Sequence, residues 1–392
     1  MFHFDLYRDK ICLVSNMISQ IFYKIKSLYA NHWWLCPLTI FILWRIILEI
    51  VGHLAFSLQP NIVSPWSNNP YPPLWARWDS GWYYSIVNYG YSLKTAGGMS
   101  NVTFFPLFPL LWKIVELITS LKGFAVALFL NNILTLFSFL VFYRWVQEKW
   151  NKQVAFKSLL ALTVFPTSFF FISAYSEAIL FLCIVIVLLF CSRRRWILAA
   201  LIAALASAAR PTGILIWPLV FWLWWSSNIG QQKSSREFLA LLFLPPLGLI
   251  LFSLYLYYKT GNALIWFSAQ SSAGRGFVWP INLLWAYTKN ILTLGNYWPR
   301  HLAEMMALFF PIFLLPMLRK IHPAYVFYTV LNLLPSFFSN TLTSIQRFVL
   351  IIAPLFVVMG LQKKWFYILY FLLSGILLFY SIVAFIAFRW AG

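Results

Sequence analysis

The chain holds nine acidic residues in 392, few enough to weigh each as a proton acceptor. Asp5 and Asp9 sit in a basic N-terminal segment, and Glu49 lies inside the first long apolar run. Glu148 and Glu237 fall in short polar stretches among lysines and arginines, the usual setting of a solvated carboxylate. Four acids remain on or near the face assigned below to the outside: Asp79, Glu116, Glu177 and Glu304. Of these, Glu116 and Glu304 read as solvated. Asp79 differs by its neighbours, Trp75-Ala76-Arg77-Trp78-Asp79-Ser80-Gly81-Trp82-Tyr83-Tyr84. Rings around one carboxylate can desolvate it, which raises its basicity towards a hydroxyl proton, and rings can stack on sugar faces. Gly81 permits close backbone approach. The same aspartate fits equally well as the N-cap of a short interfacial helix, Ser80 to Val87. Spacing alone leaves both readings open.

What must position these residues is membrane-embedded helix. The chain is 62% hydrophobic and 10% charged, and a soluble domain carries about 25% charged residues. Runs such as Ile179–Phe190 and Phe366–Phe388 are continuous rather than alternating, so the pattern is helical and not that of a barrel. The fold class expected is an all-α polytopic membrane protein of about 11 transmembrane helices. The net charge of +20 sits in clusters between apolar runs, where the positive-inside bias places it. That distribution argues against nucleic acid as a partner and suits anionic membrane lipids or a phosphorylated lipid.

The whole chain, 1–392, reads as one integral membrane domain. Residues 1–33 form a basic cytoplasmic surface segment, with Ile11, Val14, Ile18, Ile21, Phe22 and Ile25 at helical spacing. Residues 57–123 form a large first outer loop that carries Asp79, and 259–301 form a second. Phe104 to Lys122 is apolar enough to span, but Lys113 and Glu116 would be costly at mid-bilayer, so it is expected to lie along the outer interface. Cys12, Cys36, Cys183 and Cys191 show no ligand or disulfide spacing. Asn101-Val102-Thr103 forms a glycosylation sequon on the outer side. Tyr175, Trp298 and His301 could contact a sugar, although such residues also form the ordinary interfacial belt.

Arg77-Trp78-Asp79-Ser80-Gly81-Trp82-Tyr83, then Tyr89-Gly90-Tyr91, then Phe104-Phe105-Pro106-Leu107-Phe108-Pro109 resembles the first outer loop of the PIG-V type mannosyltransferases. These are GPI mannosyltransferase 2 and its prokaryotic relatives, glycosyltransferases of the GT-C fold. Phe165-Pro166-Thr167-Ser168, Ala174-Tyr175-Ser176-Glu177-Ala178, Ala209-Arg210-Pro211-Thr212-Gly213 and Gln346-Arg347-Phe348 continue the resemblance in order. The resemblance implies a GT-C-like bundle with interfacial helices in the first outer loop. It also implies an inverting hexosyltransferase that takes a sugar, usually mannose, from a polyprenyl-phosphate donor. The acceptor would be a lipid or glycan hydroxyl on the lumenal or periplasmic side. Asp79 would be the base.

Asn88-Tyr89 stand where the family often has Glu-His, so the resemblance implies no particular acceptor. No second acid lies two residues from Asp79, so no metal is expected, nor any cofactor. Arginine would then neutralise the phosphate. Arg347 is the first candidate and Arg210 the second, because a guanidinium fork matches phosphate oxygens. Arg347 fits equally a snorkelling interfacial residue, and Arg210 a helix-end cap or a partner of Glu177. Glu177 opens an outer helix, where a carboxylate favours the dipole, or it orients Arg210 or the acceptor. Arg77, Trp78, Trp82 and Tyr83 complete the candidate substrate-binding set. The alternative function is a transporter or flippase for a lipid-linked sugar, favoured by the Arg210-Pro211 break between two short apolar segments.

Overall fold

A computed structural model describes residues 31–58, 73–93, 100–227, 234–270 and 275–389. The expected N-terminal surface helix and Cys12 lie outside these residues. The described chain is helical, apart from one isolated antiparallel bridge between Phe277 and Ser339.

The first half comprises α1 (Leu35–Ser57), α2 (Ser80–Tyr89), α3 (Leu107–Thr119), α4 (Phe124–Lys149), α5 (Lys152–Thr163), α6 (Glu177–Ser192), α7 (Trp196–Ala209) and α8 (Ile216–Ser227). The second half comprises α9 (Ser235–Phe243), α10 (Leu247–Thr260), α11 (Ile265–Ser268), α12 (Pro280–Leu292), α13 (Trp298–Ile321), α14 (Pro323–Phe337), α15 (Ile345–Leu350), α16 (Ala353–Gly360) and α17 (Lys364–Ile386). Among the described residues, five helical stretches are long and apolar enough to cross a bilayer: α1, α4, α9 with α10, α13 and α17. Their outer faces are aliphatic. On α1, Leu43, Ile46, Ile47, Ile50 and Leu54 are about half exposed. In water such a surface would cost roughly 25 cal/mol per Å², so lipid is its solvent, and the chain is an all-helical polytopic membrane protein. The expectation of about 11 spans is not established by these five.

The remaining helices are shorter, and α6 is their centre. It is apolar on every side and almost wholly buried, the pattern of a helix surrounded by other helices. It packs chiefly on α4 and α7, while α5 packs on α16. α3 lies with Leu110, Ile114, Leu117 and Ile118 exposed and Phe108 and Trp112 buried. Glu116, expected to be solvated, is buried: it accepts hydrogen bonds from Trp112 Nε1 (3.0 Å) and Gly123 N (2.9 Å), closing the turn into α4. Asn101 is also buried. Its amide donates to Ser85 Oγ (3.1 Å) and Gly90 O (3.0 Å), and its oxygen accepts from Ser92 N (2.9 Å). A glycan cannot be attached there without dismantling the loop, so the sequon is a structural asparagine.

One group of cations lies at one end of the bundle. Glu148 accepts from Arg193 (2.7 Å), Lys149 Nζ donates to Tyr325 Oη (3.1 Å), and Lys157 Nζ donates to Gln362 O (2.7 Å). A cavity of about 490 Å³ between Lys149, Trp150, Lys320 and Gln362 opens at this end. Asn131, 18 residues before Lys149 on α4, touches the opposite end. At 1.5 Å per residue the two ends are about 27 Å apart.

Candidate active site

The far end is built on a turn that starts with a strained residue. Trp78 has φ 55°, a left-handed conformation that a bulky side chain adopts only where surroundings enforce it. The enforcement is visible. Tyr175 Oη accepts from Asp79 N (3.1 Å) and donates to Arg77 O (3.0 Å), and Ala174 N donates to Trp75 O (3.0 Å). Tyr175 is itself fully buried, and its carbonyl accepts from Asn131 Nδ2 (2.8 Å). Tyr175 is therefore a clamp on the loop, with no face open to a sugar.

This turn decides what Asp79 does. It occupies the N-cap position of α2, yet its side chain makes no capping hydrogen bond. The carboxylate faces Arg347 instead, whose Nη1 donates to Oδ2 at 2.8 Å. Among the described residues no donor reaches Oδ1, and the side chain is 23% exposed. A carboxylate that forgoes its cap and keeps one oxygen open can accept a proton from something outside the protein.

Arg347 is carried by α15, which follows Ser344, another left-handed non-glycine residue (φ 73°). The loop before it is fixed by Tyr287 Oη, which accepts from Leu342 N (2.8 Å), and by Arg300, which donates to Thr343 Oγ1 (2.6 Å). Arg300 in turn donates to Glu304 (2.9 Å), which is buried at 1% exposure rather than solvated as its sequence setting suggests. His301 stacks on Tyr287 with ring centroids 4.1 Å apart. The Arg347 guanidinium lies against Phe170 and Tyr175, with Cζ 4.8 and 4.7 Å from their centroids. The two rings stand at 71° to each other, so the cation sits in an aromatic corner that favours a delocalised guanidinium. Its Nε donates to Glu177 Oε1 at 2.5 Å.

Glu177 opens α6 and is fully buried. Arg210 also donates to Oε1, while Oε2 has no partner among the described residues. Arg210 reaches it because Pro211 forces the preceding residue out of helix. Arg210 is extended (φ −159°, ψ 158°) and ends α7. The turn that follows lies against α7 so closely that a Cβ on Gly213 would meet Ala206 O at 1.8 Å. Only glycine fits there.

The structure thus brings together Asp79, Glu177, Arg210 and Arg347, drawn from positions up to 268 residues apart. Both Nε and Nη1 of Arg347, expected at a phosphate, are used on carboxylates. The other candidates sit differently. Arg77 is buried at 2% exposure, donates to Leu74 O (3.2 Å) and lies over the Phe388 ring. Burial pushes its guanidinium down to about 10. Tyr83 is buried with its hydroxyl against Ser176 Oγ (2.8 Å), and burial pushes it up to about 12. Trp78 packs near Phe388, and Trp82 stacks on Phe104. Trp298 is 37% exposed and lies at the start of α13.

One site residue was missed by the sequence reading. Arg275 approaches the Phe348 ring (Cζ 5.8 Å from the centroid), the same ring that Arg210 approaches at 5.7 Å. Its sequence signal is faint: an arginine between two glycines, in a stretch from Glu237 to Glu304 that contains no other acid.

No protein-family profile matches the chain, and no curated protein is similar to it in sequence. Among solved structures it is similar to the oligosaccharyltransferase of Archaeoglobus fulgidus. In the apo form the TM-score is 0.47 at 13% identity, over 89% of this chain and 56% of that one. In the complex with an inhibitory peptide and a dolichol-phosphate the TM-score is 0.46 at 12% identity, over 93% and 56%. The chain spans about half the length of these proteins. A likeness at this level carries no argument about chemistry, and the site rests on its own geometry.

Proposed function

We propose that the chain is a membrane glycosyltransferase of the GT-C type. It moves a sugar, mannose by the sequence resemblance, from a polyprenyl-phosphate donor to an acceptor hydroxyl with inversion. The observation that carries this reading is the Asp79 carboxylate: it sits at a helix start without capping it, is held on one side by Arg347, and is open on the other. Asp79 Oδ1 accepts the proton of the acceptor hydroxyl. The acceptor oxygen then bonds to the anomeric carbon from the face opposite the phosphate. The bond from that carbon to the phosphate oxygen breaks, and lipid phosphate leaves with the electron pair.

Glu177 contacts no substrate in this scheme. It anchors Arg347 and Arg210, and Arg347 in turn fixes the direction of Asp79. Burying Glu177 with two guanidiniums is costly unless all remain paired, and losing one partner of such a set costs roughly 3–5 kcal/mol. The site lies on the lumenal or periplasmic side, because the opposite end carries Lys149, Lys157, Arg193 and Lys320, and positive clusters mark the cytoplasmic face.

Membranes holding the chain, given a radiolabelled polyprenyl-phosphate sugar, should convert label into a covalent product. A flippase would move the labelled lipid between leaflets and leave it chemically intact. Label that crosses the bilayer with no new product would replace this reading with that one.

A further inference from the structure

We infer that Arg275 binds the phosphate of the lipid-linked donor, with Phe348 as the shelf that holds it beside Arg210. This deepens the function proposed above and rests on it.

Charge separates Arg275 from the other arginines of the site. Arg347 is buried and has both Nε and Nη1 on carboxylates, and Arg210 is paired with Glu177. Arg77 is separate: burial alone shifts its guanidinium, with no charged neighbour contributing. Arg275 is different. Among the described residues its guanidinium has no hydrogen bond and no ion pair. Burial and the nearby Arg210 and Arg347 all push its proton affinity down, and only Asp79 opposes them. A cation pressed against two others, with a single carboxylate to offset them, is a site for an anion.

Its position is built rather than incidental. Gly276 N donates to Asn340 Oδ1 (3.2 Å), Asn340 N to Gly276 O (3.0 Å), and Val278 N to Phe338 O (3.2 Å). These bonds tie the residues after Arg275 to the loop that leads into α15, so Arg275 and Arg347 are set by one frame.

The charges also match the reaction. Arg210, Arg275 and Arg347 against Asp79 and Glu177 leave one positive charge. A phosphodiester donor carries one negative charge. When Asp79 takes the acceptor proton, the site holds two positive charges, and the released phosphate monoester carries about two negative ones. The site therefore gains charge in step with the leaving group, the condition for stabilising it as it departs.

The test is equilibrium binding of polyprenyl monophosphate to the full chain in liposomes, with inorganic phosphate and uncharged polyprenol as the other arms. Losing a charged hydrogen bond should weaken polyprenyl monophosphate binding by about 10- to 100-fold in Arg275→Gln. Arg275→Lys should recover part of it, and the KM for donor should rise more than kcat falls. Polyprenol binding should not change. Weak binding of inorganic phosphate that Arg275→Gln abolishes would place the recognition in the phosphate alone. Two results overturn the inference. If Asp79→Asn is inactive while Arg275→Gln binds polyprenyl monophosphate like wild type, the inference fails and the transferase survives. If wild type neither transfers sugar nor binds polyprenyl monophosphate, both fail.

Discussion

Replacing Arg347 by lysine probes the centre of the site while keeping its charge. A single ammonium cannot reproduce the fork that places Nε on Glu177 and Nη1 on Asp79. Glu177 is fully buried and Asp79 partly exposed, so the ammonium is expected on Glu177 and the bond to Asp79 is the one lost. A hydrogen bond to a charged group contributes roughly 1.5–3 kcal/mol, so if it holds the base in place the transfer rate should fall about 10- to 150-fold. The contact of the guanidinium with the Phe170 and Tyr175 rings is lost as well, which lowers the unfolding temperature. The assay is the initial rate of sugar transfer per mole of folded protein, with thermal unfolding followed on the same samples. Glu148→Gln serves as the control. Its pairs with Arg144 and Arg193 are half-exposed and at the far end, so its rate should stay at wild type. A wild-type rate in folded Arg347→Lys would refute the claim that Arg347 directs Asp79.

Three further outcomes follow from the same contacts. Asn101→Gln should lower the unfolding temperature, because a longer amide cannot keep the bonds to Ser85, Gly90 and Ser92, and glycosidase treatment of the wild type should leave its mobility unchanged. Glu116→Ala should cost about 1–3 kcal/mol by stranding Trp112 Nε1 and Gly123 N, with the rate per folded molecule retained, as chemical denaturation and transfer assays would show. Glu177→Gln should remove most activity and destabilise the chain, with the loss measured by both assays, since it leaves two guanidiniums facing a neutral amide.

Much of this was legible in the sequence because membrane solvation writes itself into composition. Continuous apolar runs located the long helices. The resemblance pointed to Asp79, Glu177, Arg210 and Arg347, which converge. What the sequence could not show was direction. Whether Asp79 caps α2 depends on Arg347, 268 residues away, which takes the carboxylate, and on Tyr175, 96 residues away, which holds its backbone N–H. Arg347 could not be told from a phosphate ligand because its carboxylate partners come from distant helices. Glu116 and Glu304 read as solvated, and Asn101 as part of a sequon, since a local window sees their polarity and not the helices that bury them. Arg77 and Tyr83 shared a motif with Asp79, but Arg77 lies in the turn before α2 and Tyr83 on α2 itself, and both face packed protein.

The most direct test of the account is the transfer rate of Asp79→Asn, a substitution of equal size that can no longer accept a proton. The account predicts a protein that inserts, retains its unfolding temperature to within a few degrees and makes no detectable glycosylated product from a labelled polyprenyl-phosphate sugar. Product formed at the wild-type rate by that variant would contradict it.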